Sequence, residues 1–127
     1  MKTPHTPQIT VSANVRYQAE ESDEQQARFV FSYTITIHNT GDIAAKLLRR
    51  HWIITDSHHR VQEVHGDGVV GEQPLILPGR RFEYSSGTLL TTPVGTMRGY
   101  YTLRTDEGAE FDVAIPEFVL SIPRVLH

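Results

Sequence analysis

Cysteine is absent from this 127-residue chain. Disulfides, thiolate metal sites and a cysteine nucleophile are thereby excluded, although the absence does not fix the redox compartment. No apolar run approaches the length of a membrane span. The opening residues, Met1 to Pro7, lack the apolar core of a signal peptide, so a cytoplasmic location is expected. A basic excess is missing too: 12 Lys and Arg stand against 15 Asp and Glu, a formal net charge of −3. Phosphate neutralisation supplies most of the affinity of nucleic-acid binders, so a general role of that kind is disfavoured. There is no GxSxG elbow, P-loop or kinase set, and no HxH or HExxH spacing. Ser85-Ser86-Gly87 has no assignable base. The expectation is a protein that is not an enzyme, with no cofactor.

What is present is alternation. The hydrophobic fraction is 39%, which argues against disorder. Ile9, Val11, Ala13, Val15, Tyr17 and Ala19 recur at every second position, one face of a strand. Phe29, Phe31, Tyr33, Ile35 and Ile37 mark a second strand after a polar loop. A third spans about 46–55 with Leu48, Trp52 and Ile54 inward. A short strand follows over 60–64. Further strands are read over 80–90, where Phe82 and Tyr84 face inward, and over 96–104, where Met97, Tyr101 and Leu103 do. Asp106-Glu107-Gly108 signals a hairpin, and a return strand runs to Ile115. Pro116 is expected to end it, with Phe118, Leu120 and Ile122 in a last edge strand. Seven to nine short strands without a convincing helix predict an all-β fold, a two-sheet antiparallel sandwich of immunoglobulin or fibronectin type III kind. One domain covers residues 1–127, with 1–8 a flexible N-terminal tail.

Residues 66–71 read Gly-Asp-Gly-Val-Val-Gly, a GxGxxG string. A dinucleotide fingerprint needs a helix to open at its third glycine. Here Pro74, Pro78 and Gly79 follow instead and cannot carry that helix. The string is placed in a loop. Successive N–H groups of such a loop can form an anion-binding nest. Gly66, Gly68 and Gly71 with Arg98, or with Arg80 and Arg81, are the candidate ligand-binding residues. The ligand would be pyrophosphate or a dinucleoside polyphosphate, although the Asp67 carboxylate would repel it. The plainer account, a connection whose backbone needs positive φ, is favoured because the βα context is missing.

Three other features have a functional and an ordinary reading. His58, His59 and His65, with Asp56 and Asp67, flank one short strand and offer imidazole and carboxylate. Adjacent histidines point to opposite faces of an extended chain, so solvated loop histidines are favoured and no metal site is expected. The acidic run Glu20-Glu21-Ser22-Asp23-Glu24 lacks the calcium-loop pattern and reads as a solvated hairpin tip. Residues 118–127 are apolar for a chain end. They form either an edge that recruits a partner or a strand docked on its own sandwich.

Several segments together resemble the ApaG (DUF525) family. They are Tyr33 to Gly41, His51 to Asp56, Gly66 to Pro74, Leu77-Pro78-Gly79, Phe82 to Gly87, Gly95 to Tyr101 and Phe111 to Phe118. The resemblance covers nearly the whole chain and implies a fibronectin type III-like sandwich. It also implies kinship with free-standing bacterial proteins named for lying beside a diadenosine tetraphosphate hydrolase. Those proteins are associated with cobalt and magnesium tolerance and labelled as efflux proteins. The same domain is appended to eukaryotic F-box and polymerase-delta-interacting proteins, where it is held to bind protein. An efflux role conflicts with a chain that has no membrane span. The function expected is a non-enzymatic binding module whose partner is another protein. The alternative is phosphate, pyrophosphate or dinucleoside polyphosphate binding through Gly66–Gly71.

Overall fold

The computed structural model describes residues 7–123; residues 1–6 and 124–127 lie outside the described part. Eight strands account for most of it: β1 Ile9–Tyr17, β2 Phe29–Asn39, β3 Ala45–Asp56, β4 Val61–Asp67, β5 Leu75–Ile76, β6 Arg81–Leu90, β7 Val94–Thr105 and β8 Glu110–Ser121. They form two antiparallel sheets. The smaller is ordered β1-β2-β6 and the larger β4-β3-β7-β8, with β5 paired on β3. A three-stranded sheet facing a five-stranded one, the fifth strand being the short β5, is the two-sheet antiparallel sandwich of immunoglobulin or fibronectin type III kind expected from the sequence. Of the expected tail, Gln8 is tied down: its carbonyl accepts from the Thr40 and Gly41 N–H groups at 2.8 and 3.2 Å.

Strand β2 shows why these residues form this sheet. Phe29, Phe31, Tyr33, Ile35 and Ile37 are each 6% exposed or less, and the residues between them are half-buried. Each apolar side chain so buried contributes roughly 1.5–3 kcal/mol. Trp52 on β3 packs at the centre of the core, against Tyr33, Tyr101 and Phe118 at ring-centroid distances of 5.4, 6.3 and 5.9 Å. Buried Asn39 pins the far end of β2. Its Nδ2 donates to the carbonyls of Ile43 and Ile76, and its Oδ1 accepts from the Gly41 N–H.

Four expectations are corrected. The β3–β7 register shifts between Leu47 and Arg49. This bulge brings Leu47 into the core with Ala45 ahead of it, while Trp52 and Ile54 face inward beyond it; Leu48 is buried outside the main cluster. Ala19, read as strand, lies in a short 3-10 turn and is exposed. Pro116 does not end its strand, because β8 runs through it to Ser121. The β7–β8 register slips there, from Met97 opposite Phe118 to Gly99 opposite Ile115, and a proline is tolerated where no ladder N–H is needed. Finally, β4 extends to Asp67, so the first two residues of the glycine string belong to a strand.

The two sides of the sandwich differ. Strands β1 and β8 pack together and close one side. At the other, β4 and β6 border two depressions. The apolar chain end is docked: Leu120 and Ile122 are buried in the core, and the Ile122 N–H donates to the Pro93 carbonyl. The remainder of that stretch, 124–127, lies outside the described residues.

Candidate functional site

The glycine string straddles the end of β4. Gly68 has φ +62°, and a Cβ there would lie 2.1 Å from the Glu72 carbonyl oxygen, so no other residue fits. Its N–H donates to the Leu48 carbonyl at 2.7 Å. Val69 and Glu72 then exchange both backbone bonds, at 2.8 and 2.9 Å. Between them Val70 and Gly71 have φ of 43° and 81°. Two positive-φ residues closed in this way make a type I′ turn. Gln73 Nε2 donates to the same Leu48 carbonyl at 3.0 Å. The N–H groups of Gly68, Val69 and Glu72 are thus consumed within the chain and are not offered to an anion.

The arginine at this segment is Arg50, which the sequence reading passed over. It stands on β3 opposite Gly66 and Tyr101. Its guanidinium lies over Gly66, where a Cβ would come within 2.6 Å of Cζ. Nη1 donates to the carbonyls of Asp67 and Gly68, both at 2.9 Å. Gly66 therefore makes room for the arginine, and the arginine fastens the loop.

Arg50 also lines a cleft of about 290 Å³ on the open side, with Tyr33, Trp52, Val69, Tyr84 and Ser86. Beneath it the Tyr84 and Tyr101 hydroxyls are hydrogen-bonded to each other. Burial pushes the pKa of Tyr33, Tyr84 and Tyr101 above the ordinary value, and the Arg50 charge opposes that rise at each. Neutral hydroxyls beside a guanidinium are donors suited to a carboxylate or phosphate oxygen.

Of the residues singled out in the sequence, Gly66, Gly68 and Gly71 lie along this one segment. Arg98 does not join them: it is exposed on β7, opposite Ile53, and lines neither depression beside the loop. Arg80 and Arg81 are exposed at the start of β6. Asp56 organises a turn, its Oδ1 accepting from the His58 and Arg60 N–H groups and its Oδ2 from Arg60 Nε. His58 and His59 are exposed there. His65 lies elsewhere, on β4 beside Glu63 and across from His51. The acidic run forms two exposed 3-10 turns, Asp23 capping the second. Arg50 and His51 escaped notice because their partners are set by strand register, and no spacing along the chain encodes that.

The ApaG domain model matches residues 19–105. The chain belongs to the ApaG family. Protein ApaG of Thiobacillus denitrificans is 58% identical over 120 residues, covering 94% of each chain. Protein ApaG of Pseudomonas paraeruginosa is 54% identical over 120 residues, covering 94% of this chain and 95% of its own. A crystal structure of an ApaA protein from Bordetella pertussis superposes with a TM-score of 0.91 at 53% identity, covering 94% of this chain and 97% of that one. The ApaG matches name no reaction and no ligand. No helix among the described residues of this ApaG chain is long and apolar enough to cross a membrane.

Proposed function

We propose that this ApaG domain is a non-enzymatic, cytoplasmic binding module that takes an extended segment of a partner protein along β6. The observation that supports it is the bare edge. β6 runs for 10 residues, pairs among the described strands with β2 alone, and holds an unbroken register there. No proline or bulge blunts it, and its charges, Arg81 and Glu83, sit at one end. Edges left in this state pair with other chains. A strand added there finds a second depression of about 230 Å³, lined in part by Ile54, Val61, Leu89 and Leu90, at one end. It finds the Arg50 cleft toward the other. Backbone bonds along the edge give affinity, and the two depressions give side-chain selectivity.

The test is selection of random nine-residue peptides against the whole chain, with each binder's footprint read by amide hydrogen exchange. Protection concentrated on residues 81–90, and lost in Leu89→Lys, supports strand addition. Binders that protect other strands and leave 81–90 unchanged refute it.

Arg50 favours a second reading, in which the cleft holds pyrophosphate or the polyphosphate of a dinucleotide. Pyrophosphate titration should then shift amides of residues 67–71 and the Tyr84 ring saturably, and Arg50→Gln should remove the response. A flat titration rejects this reading and leaves strand addition standing.

A further inference from the structure

We propose that His51, Glu63 and His65 form a binding site for a divalent cation of the zinc class on the outer face of the larger sheet. Strand geometry assembles it. Glu63 and His65 are two apart on β4 and so project from one face. His51 is the β3 residue directly opposite His65. Ligand atoms of all three lie within 4.8 Å of one another. Glu63 Oε2 stands 3.3 Å from His51 Nε2 and 3.6 Å from His65 Nε2. Ligands around a tetrahedral ion with bonds of about 2.0–2.1 Å sit roughly 3.3–3.5 Å apart. The carboxylate is therefore already spaced from His51 as a filled site requires, and from His65 nearly so.

The donor set selects the ion. Two imidazoles and a carboxylate suit zinc and its first-row neighbours, whereas magnesium and calcium take oxygen. The inner ligand is held in place before any ion arrives. The His51 ring stacks on Tyr100 at 4.7 Å with 18° between planes, and meets the His65 ring edge-on at 3.9 Å. Its side chain is 12% exposed, and its buried Nδ1 has no hydrogen-bond partner among the described residues. Among those residues, no protein group besides Glu63 therefore competes for that ring's nitrogens. Glu63 and His65 are exposed, which gives an ion its way in.

Three protein ligands leave one position of a tetrahedral ion open. A depression of about 340 Å³ adjoins the cluster, lined also by Arg49, Arg50, Asp67 and Thr102. Arg49 is bound to Glu110 at 2.7 Å, and Arg50 Nη1 to the loop carbonyls. These cations oppose a bare metal ion and favour an anionic oxygen as its fourth ligand; Asp67 acts in the opposite sense.

The experiment is titration of the whole chain with zinc chloride, read by calorimetry and by two-bond proton–nitrogen spectra of the imidazoles. The expected result is one equivalent bound, with His51 and His65 shifting together and no such shift with magnesium chloride. Glu63→Gln and His65→Ala, both at exposed positions, should each weaken binding about tenfold or more. The pairs His58→Ala/His59→Ala and His5→Ala/His127→Ala should bind as the parent does. Absence of saturation, retention of affinity in Glu63→Gln or His65→Ala, or its loss in either control pair overturns the proposal.

Discussion

Val70 holds φ at 43°, in a region that a β-branched side chain occupies only under strain. Its place in a type I′ turn calls for asparagine or glycine. Val70→Asn should raise unfolding free energy by about 1 kcal/mol, the order of the left-handed penalty; urea melts give the value, and an unchanged or lower midpoint contradicts the strain. The Tyr84–Tyr101 pair behaves differently. Tyr84→Phe leaves a buried hydroxyl without its partner and should cost about 1–3 kcal/mol, whereas the double phenylalanine should lie near the parent. Both tyrosines have folded pKa values raised by burial. Their neutral forms therefore favour the native state. That stability is fully present below the unfolded tyrosine pKa of about 10 and is lost as pH rises above it. An ultraviolet titration should show these phenols ionising together with loss of tryptophan burial. Ionisation of Tyr84 or Tyr101 near pH 10 in a still-folded protein, read as the difference from the Tyr84→Phe/Tyr101→Phe variant, would contradict it.

At the scale of the element, β2 was fully legible because it is central and one of its faces is core: every second residue from Phe29 to Ile37 is apolar and buried. β3 was legible only in part. Its downstream half gave Trp52 and Ile54 correctly, but the bulge beside Leu48 switches which residues face inward, and only a partner strand reveals it. The same limit hid the rest of β4, whose glycine residues read as a turn. It also hid the two groups that meet across β3 and β4: Arg50 over Gly66, and His51 beside His65. Trp52→Ala tests the inward half directly. It should cost about 3–5 kcal/mol by urea unfolding, and a loss below about 1 kcal/mol would place the ring outside the core.

At the scale of the molecule, alternation along the strands was enough to give two sheets, but not which side of the sandwich stays open. That depends on which strands end up at the edges. Direction follows from the pairings. The short link over residues 40–44 turns the chain back, so β3 runs opposite to β2. Antiparallel pairing within each sheet then sends β1 and β8 the same way. The first strand begins at one pole of the sandwich and the last ends at the other, roughly 30–40 Å away for strands of 9 and 12 residues. This makes the domain a mechanical link. A pull between Gln8 and Pro123 slides strands lengthwise, so that many backbone bonds carry load at once. A pull between Arg49 and Asp67, which pair across β3 and β4, peels that hairpin one bond at a time. With no native cysteine, a pair of introduced ones defines each set of handles. The first pair should hold to a higher rupture force than the second, and equal forces would mean the strands do not run as described. Spliced between two other chains, such a domain would bear tension along its length as a rigid spacer.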